Sequence, residues 1–332
     1  MAKLTINNAE TTTLKTYTDA LSNILNAMRI SGGILLNEDY SPPWAVDIPG
    51  ADRLRGVMKL GAGVRVVAFH FVKRGYIEVL PEGGERTIIE AGEMAICFGG
   101  LPHKLMQESA ENALPVEALL AGGKNPFQPE RHAARNASLI CGVFLLRNVE
   151  LNPLFASLPP FLHTSALRLG NLHNLAGVLN WMNKETERQT LGSVFVVERL
   201  LELLCAEAIR FHLETGASEA GWLSGLKDPV VGRAIAMIHS RPGDNWSVKR
   251  LAQGVAMSPS RFAARFSAAL TDSPMAYVAK WRMNVAGRLL TESRQGVGEI
   301  AAIVGYDNPA AFARTFKRHL GVSPAVWRSR HC

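Results

Sequence analysis

The sequence predicts an α+β protein of two unlike parts. Residues 1–165 read as a β-barrel, 166–214 as a helical hairpin, 215–228 as a linker and 229–332 as an all-α region. Three observations carry this. Between Ile34 and Phe144, short runs rich in β-branched and aromatic residues alternate with Gly, Pro and Asn. Beyond Thr164 the apolar residues recur at helical spacing instead. The charge is also divided: Gly225–Cys332 holds 16 Lys and Arg against 6 Asp and Glu, or +10, in a chain of net charge +7. The remainder is therefore mildly acidic, and one part is built to meet a polyanion while the other is not.

The opening stretch, MAKLTINNAETTTLKTYTDA, has no apolar core of signal-peptide length, and no uncharged apolar run is long enough for a bilayer. A cytoplasmic protein with no membrane partner is expected. A length of 332 residues with 47% apolar content gives each part a core and excludes disordered, collagen-like and coiled-coil classes. The expected strands are VRVVAFHFV (64–72), GYIEVL (75–80), RTIIE (86–90), EMAICF (93–98) and SLICGVFLL (138–146), with a polar loop at 121–137. Cys97, Cys141, Cys205 and Cys332 are scattered without a CxxC pair, against a structural zinc site or a disulfide framework. In the hairpin, Leu172, Leu175, Leu179 and Met182 mark one helix; Val196, Leu200, Leu203, Leu204, Ala208 and Phe211 mark the next. Its apolar face needs a cover, either its own barrel or a second subunit anchored on Leu200, Leu203 and Leu204.

The C-terminal part repeats itself. LAQGVAMSPSRFAARFSAALTDSP (251–274) aligns with IAAIVGYDNPAAFARTFKRHLGVSP (300–324). Leu251, Ala252 and Val255 match Ile300, Ala301 and Val304. Phe262, Phe266, Leu270, Ser273 and Pro274 match Phe312, Phe316, Leu320, Ser323 and Pro324 after one extra residue in the turn. Each copy predicts a short helix, a tight turn at Ala256 or Gly305, and a second helix capped by Ser258 or by Asp307 or Asn308. Phenylalanines four residues apart bury one face of that second helix. Two helix-turn-helix subdomains follow, at about 247–270 and 297–320, joined by a linker helix at 275–292 with Tyr277, Trp281, Val285, Leu289 and Leu290 in a stripe.

A helix-turn-helix sets its second helix in the major groove of double-stranded DNA. The residues left to face bases are Ser260, Arg261, Ala263, Ala264 and Arg265 in the first copy and Ala310, Ala313 and Arg314 in the second. Arginine can pair bidentately with guanine, while Ser and Ala permit close approach or meet thymine methyls. Arg282, Arg288, Lys317, Arg318 and Arg328 are expected on phosphates. A linker of roughly 27 Å suits two successive grooves about 34 Å apart.

These residues resemble the AraC/XylS family of bacterial transcription regulators, most specifically in GYDNPAAFARTFKRHLGVSPAVWR (305–328) and WSVKRLAQGVAMSPSRFAARF (246–266). Thr271 stands where this family and the second copy, at Gly321, have glycine, so a strained or differently shaped corner is expected there. Trp44, FHFVKRGYIEV (69–79), EAGEMAICFGGLPHKL (90–105), LICGVF (139–144) and NPLFASLPPFLHT (152–164) resemble the cupin-type sensor of one branch of the family. The resemblance implies an activator or repressor acting at a promoter through RNA polymerase, as a homodimer, in response to a small effector or stress.

Three sensing chemistries stay open. A metal-binding cupin presents an HxH pair, a nearby Glu and a later His; only His70 and His103 are present, with Arg74 at the acid's place, and two imidazoles are too few to close a site. A thiol switch at Cys97 or Cys141 would need an exposed, low-pKa thiolate, with Lys104 or Arg74 near Cys97. A small organic effector could sit among Trp44, Phe69, Phe71, Tyr76 and Phe98, beside His70 and His103. No cofactor is required by the sequence, a metal ion in the barrel being the one candidate. The competing class is a metal-dependent cupin enzyme with a basic tail. Without a full His/His/Glu run, a GxSxG, a phosphate loop or an HExxH, the sequence reads as no enzyme.

Overall fold

A computed structural model describes residues 20–61, 63–108, 111–122, 124–129, 136–165, 173–188, 190–215 and 222–331. They fall into two compact units: Arg29–Arg147 with Leu158–Gly216, and Met1–Met28 with Asn148–Ser157 and Ala217–Cys332. The first described helix, α1 (Ala20–Ala27), belongs to the second of these.

The first unit is built on two five-stranded sheets. In chain order its elements are β1 (Arg29–Tyr40), β2 (Trp44–Ile48), α2 (Ala51–Val57), β3 (Val64–Arg74), β4 (Tyr76–Pro81), β5 (Thr87–Glu90), β6 (Glu93–Cys97), β7 (His103–Gln107), β8 (Leu114–Pro115), α3 (Val116–Leu120), β9 (Ala137–Arg147), β10 (Leu162–Ser165), α4 (His173–Arg188) and α5 (Ser193–Thr215). One sheet runs β1-β9-β3-β6-β10 and the other β5-β4-β7-β2-β8; only the β2–β8 pair is parallel. Side chains alternate along a strand, so Val66, Ala68 and Val72 of β3 share the core with Ile77, Val79, Ala95, Cys97, Leu105 and Cys141. Phe69 and Phe71 point to the other face, where Phe69 stacks on Phe144 at 4.7 Å. Both faces of β3 are buried, which is why it reads as a continuous apolar run.

The helical hairpin covers that second face. Leu175, Leu179 and Met182 of α4 and Leu200, Leu201, Leu204, Cys205 and Ala208 of α5 are buried. At Gly32 of β1 an added Cβ would lie 3.3 Å from the Leu201 side chain, so α5 crosses the strand at close approach. Of the three leucines expected to anchor a second subunit, Leu200 and Leu204 are buried within the unit and Leu203 alone is exposed, at 45%. Leu172 lies outside the described residues.

The second unit continues with α6 (Trp222–Lys227), α7 (Pro229–Ser240), α8 (Val248–Gly254), α9 (Pro259–Leu270), α10 (Pro274–Glu292), α11 (Val297–Ile303), α12 (Pro309–Leu320) and α13 (Pro324–His331). Helices α7, α9, α10, α12 and α13 all start on proline, whose missing N–H and fixed φ suit a first turn. The units divide the chain differently from the sequence reading. Residues 20–28 and 148–157 group with the helical unit, where Asn284 of α10 donates to the Asn148 carbonyl at 3.3 Å. The hairpin groups with the sheets, and the expected linker includes α6, whose buried Trp222 donates to Tyr277 Oη at 2.8 Å. No helix among the described residues is long and apolar enough to cross a membrane.

Candidate functional site

The duplication recurs element by element. Helices α8 and α11 start 49 residues apart, α9 and α12 start 50 apart, and the turns between them pass through left-handed residues, Ala256 at φ +54° and Gly305 at φ +81°. Phe262 and Phe266 of α9 and Phe312 and Phe316 of α12 are fully buried, with ring centroids 5.5 and 5.7 Å apart. The opposite faces are open. Ser260, Arg261, Ala264 and Arg265 of α9 are exposed and Ala263 is half-buried; Ala310, Arg314, Lys317 and Arg318 of α12 are exposed and Ala313 is half-buried.

Several of the expected DNA-facing cations have work inside the protein. Arg265 Nε donates to Asp228 Oδ2 at 2.8 Å. Asp228 Oδ1 also accepts from the Val230 and Val231 amides, capping α7. Burial pushes the Asp228 carboxyl up, but the Val231 amide, the Arg265 guanidinium and the Val230 amide outweigh it and hold the group below its usual range. Arg282, expected on a phosphate, donates instead to the carbonyls of Pro242, Gly305 and Asp244, closing the turn of the second copy onto the first. Arg328 donates to the Leu290 and Gln295 carbonyls. Arg288 lies 3.8 Å from Glu292 along the same helix. A guanidinium held by fixed carbonyls braces the fold, since leaving would strand those acceptors. Arg261 and Arg314 form no ion pair with the described residues, and neither do Lys317 and Arg318.

The candidate sensor residues separate by strand parity. His70, His103, Cys97 and Cys141 meet between the sheets. His70 and Cys141 are register partners on β3 and β9, and His70 Nδ1 lies 3.1 Å from Cys141 Sγ. His103, from the facing sheet, brings its Nε2 to 2.8 Å from His70 Nε2 and 3.7 Å from Cys97 Sγ. Burial holds His70 well below the usual imidazole range, helped by the neighbouring His103, and lowers His103 as well. Both thiols are pushed up to about 12 by burial, the reverse of what an exposed thiolate switch requires. Trp44 is also in this core and donates to Gln107 Oε1 at 3.0 Å. Phe69 and Phe71 cannot frame an effector pocket with His70, because they occupy the opposite face of β3. Tyr76 precedes the inward Ile77, and Phe98 follows the inward Cys97, so neither completes such a frame.

The cupin family pattern matches residues 19–214, more than half of the chain, and a helix-turn-helix domain pattern matches residues 251–330. A putative AraC-like transcription regulator from Streptomyces antibioticus is 35% identical over 274 residues, covering 80% of this chain and 87% of that protein. The chain belongs to the AraC-type regulators. A second such relative, from Streptomyces lividans, is 31% identical over 270 residues, and the regulator AlkR of Acinetobacter baylyi is 26% identical over 94% of this chain and 99% of its own length. Among solved structures, the DNA-binding domain of AdpA in complex with a target DNA is 31% identical, covering 31% of this chain and 91% of that one at a TM-score of 0.30. ToxT from Vibrio cholerae is 10% identical, covering 92% and 98% at 0.38.

In this AraC-type regulator two contributions were not singled out from the sequence, one of them despite a local signal. Asp228, which caps α7 and holds Arg265, was signalled by an Asp-Pro pair ahead of an apolar helix. The union of Cys97 with the histidines had no such signal, because its members come from three strands and two sheets.

Proposed function

We propose that this AraC-type regulator binds its DNA sequence-specifically, with α9 and α12 in two successive major grooves. The observation that carries this is the duplicated outer face, with Arg261 on α9 and Arg314 on α12 uncommitted to acids of the described residues. Helix α10, 19 residues long and so roughly 28 Å at 1.5 Å per residue, separates the two readers. Ser260, Ala263, Ala264, Ala310 and Ala313 allow close approach to base edges, and Lys317 and Arg318 supply phosphate contacts. The protein acts in the cytoplasm at a promoter, with RNA polymerase as its partner, and the sheet unit takes the signal. It works as a homodimer: Leu191, Val194, Phe195 and Leu203 of the hairpin expose apolar side chains, Phe195 to 66% and Leu203 to 45%.

The test is a binding titration of the full chain on DNA from around its own gene, over a range of salt. One fragment is expected to be preferred over random DNA, with log affinity falling linearly against log salt. Equal binding to all fragments overturns sequence-specific reading. Sedimentation of Phe195→Glu, Leu203→Glu tests the dimer, and an unchanged mass removes it.

A further inference from the structure

Three buried donor atoms converge between the two sheets. His70, His103 and Cys97 each offer one ligand atom, and these lie within 4.8 Å of one another; His103 Nε2 is 2.8 Å from His70 Nε2 and 3.7 Å from Cys97 Sγ. Their directions are set from behind. The Leu101 carbonyl, 3.1 Å from His103 Nδ1, can only accept, so Nδ1 carries the proton and the Nε2 lone pair turns into the group. Cys141 Sγ, 3.1 Å from His70 Nδ1, can accept a hydrogen bond from an Nδ1–H and leave Nε2 free in the same way. Two imidazoles and a thiol, with no carboxylate in the group, are donors that suit zinc(II) and copper(I) over magnesium, calcium or manganese.

We propose that His70, Cys97 and His103 bind a thiophilic metal ion, zinc(II) or copper(I), and that this ion is the signal received by the sheet unit. The second half rests on the regulator reading above. Tetrahedral zinc, with bonds of about 2.0–2.1 Å to nitrogen and 2.3 Å to sulfur, separates its donors by roughly 3.3–3.6 Å. The two imidazole nitrogens, 2.8 Å apart, therefore need to part by about half an ångström, while Cys97 Sγ, 3.7 Å from His103 Nε2, is already close to its bonding separation from that nitrogen. Three ligands leave a fourth position open, as in a site that exchanges its occupant. His103 also lines an open cavity of about 640 Å³, together with Asp47, Arg53, Glu82, Lys104 and Glu117.

The exchange balances without an oxidant. Binding forms two metal–nitrogen bonds and one metal–sulfur bond, and the Cys97 thiol gives its proton to solvent. His70 stays neutral: its proton moves from Nε2, where it bridged to His103, to Nδ1, which then donates a hydrogen bond to Cys141 Sγ. One proton leaves per ion bound. An ion so held ties β3 and β6 of one sheet to β7 of the other.

The experiment uses the full chain, reduced and stripped of metal, titrated with cobalt(II) and, against a chromophoric chelator, with zinc(II). One ion per chain and a thiolate-to-cobalt charge-transfer band are expected. Cys97→Ser should abolish the band and weaken zinc binding more than about 100-fold. Cys205→Ser, whose thiol is buried in α5 outside the group, should change neither, and circular dichroism checks that both variants fold. Folded wild-type protein that binds no stoichiometric ion, or whose band survives Cys97→Ser, overturns the site. Binding to the selected DNA fragment, measured on the same samples, should shift about tenfold with zinc. Full metal occupancy with unchanged DNA affinity overturns the signalling half. Failure of the metal site with specific DNA binding intact leaves the regulator reading standing, whereas metal binding without specific DNA binding overturns that reading alone.

Discussion

The two helix-turn-helix copies share an inner face and differ in what holds their outer one. In the second copy local rules are obeyed: Asn308 Oδ1 accepts from the Ala310 and Ala311 amides, and glycine occupies the left-handed corner at Gly321, φ +76°. In the first, Ser258 stands at the start of α9 without a side-chain capping bond, and Thr271 is forced to φ +63°. The corner expected to be strained or differently shaped is thus strained in the same shape. The cations differ too. Arg265 is bound to Asp228, and Arg250 pairs with Asp244 at 2.8 Å while lying over the Trp246 ring. Arg314, Lys317 and Arg318 are exposed. Duplication preserved the core and let the surfaces diverge, so the second copy is the better placed to supply contacts to DNA.

The shared core gives the largest expected effect. Phe316→Ala and Phe266→Ala each remove a fully buried ring and should cost about 3–5 kcal/mol, read by thermal unfolding; unequal losses would show that the copies are less alike inside than their geometry suggests. Next comes the divergence in readout. Arg314→Ala should relax discrimination at one base pair by about 1–3 kcal/mol, and replacing Lys317 and Arg318 together should flatten the salt dependence by about two charges. Arg265→Ala should leave the salt slope nearly unchanged. If the Arg265 and Arg314 variants behave alike in binding titrations, the proposed asymmetry fails.

Smaller effects address the ties of the first copy. Asp228→Ala loses the α7 cap and should cost about 1 kcal/mol at neutral pH. Because the folded carboxyl sits below the usual value of about 3.9, its contribution is complete above that pH and is lost as pH falls through the folded value. Stability curves of wild type and variant should converge in acid and stay parallel above about pH 5. Last, Thr271→Gly relieves a left-handed threonine and should raise stability by up to about 1 kcal/mol, while Gly321→Thr should lower it by a similar amount. A fall in melting temperature for Thr271→Gly would mean that the threonine side chain contributes more than the strain removes.

Legibility in the sequence followed how local each cause was. The runs at 64–72 and 138–146 became β3 and β9 with ends shifted by a residue or two, because both strands are apolar on both faces. Strand β1 was only partly anticipated, since Gly32 and Gly33 resemble a turn; the close crossing of α5 over Gly32 explains one of those glycines. Strand β7 was hidden behind Pro102 and holds only five residues. Phe69 and Phe71 were read with His70 because a strand buried on both faces has no polar side to show which residues look inward. The arginines misled for a related reason: an exposed helix position looks the same whether its guanidinium meets a phosphate or, like Arg282, a set of backbone carbonyls.

The sequence by itself determined that there are two helix-turn-helix copies, where the second helix of each begins, and that the basic charge resides with them. Those features depend on spacings of a few residues: phenylalanine four from phenylalanine, proline at a first turn, a small residue in a tight turn. Tertiary structure alone decided that the hairpin leans on its own sheets through Leu200 and Leu204, that Arg265 and Arg282 brace the fold, and that His70 meets His103. Those partners lie tens of residues apart in the chain, and only the register of the strands and the packing of one sheet on the other bring them within bonding distance.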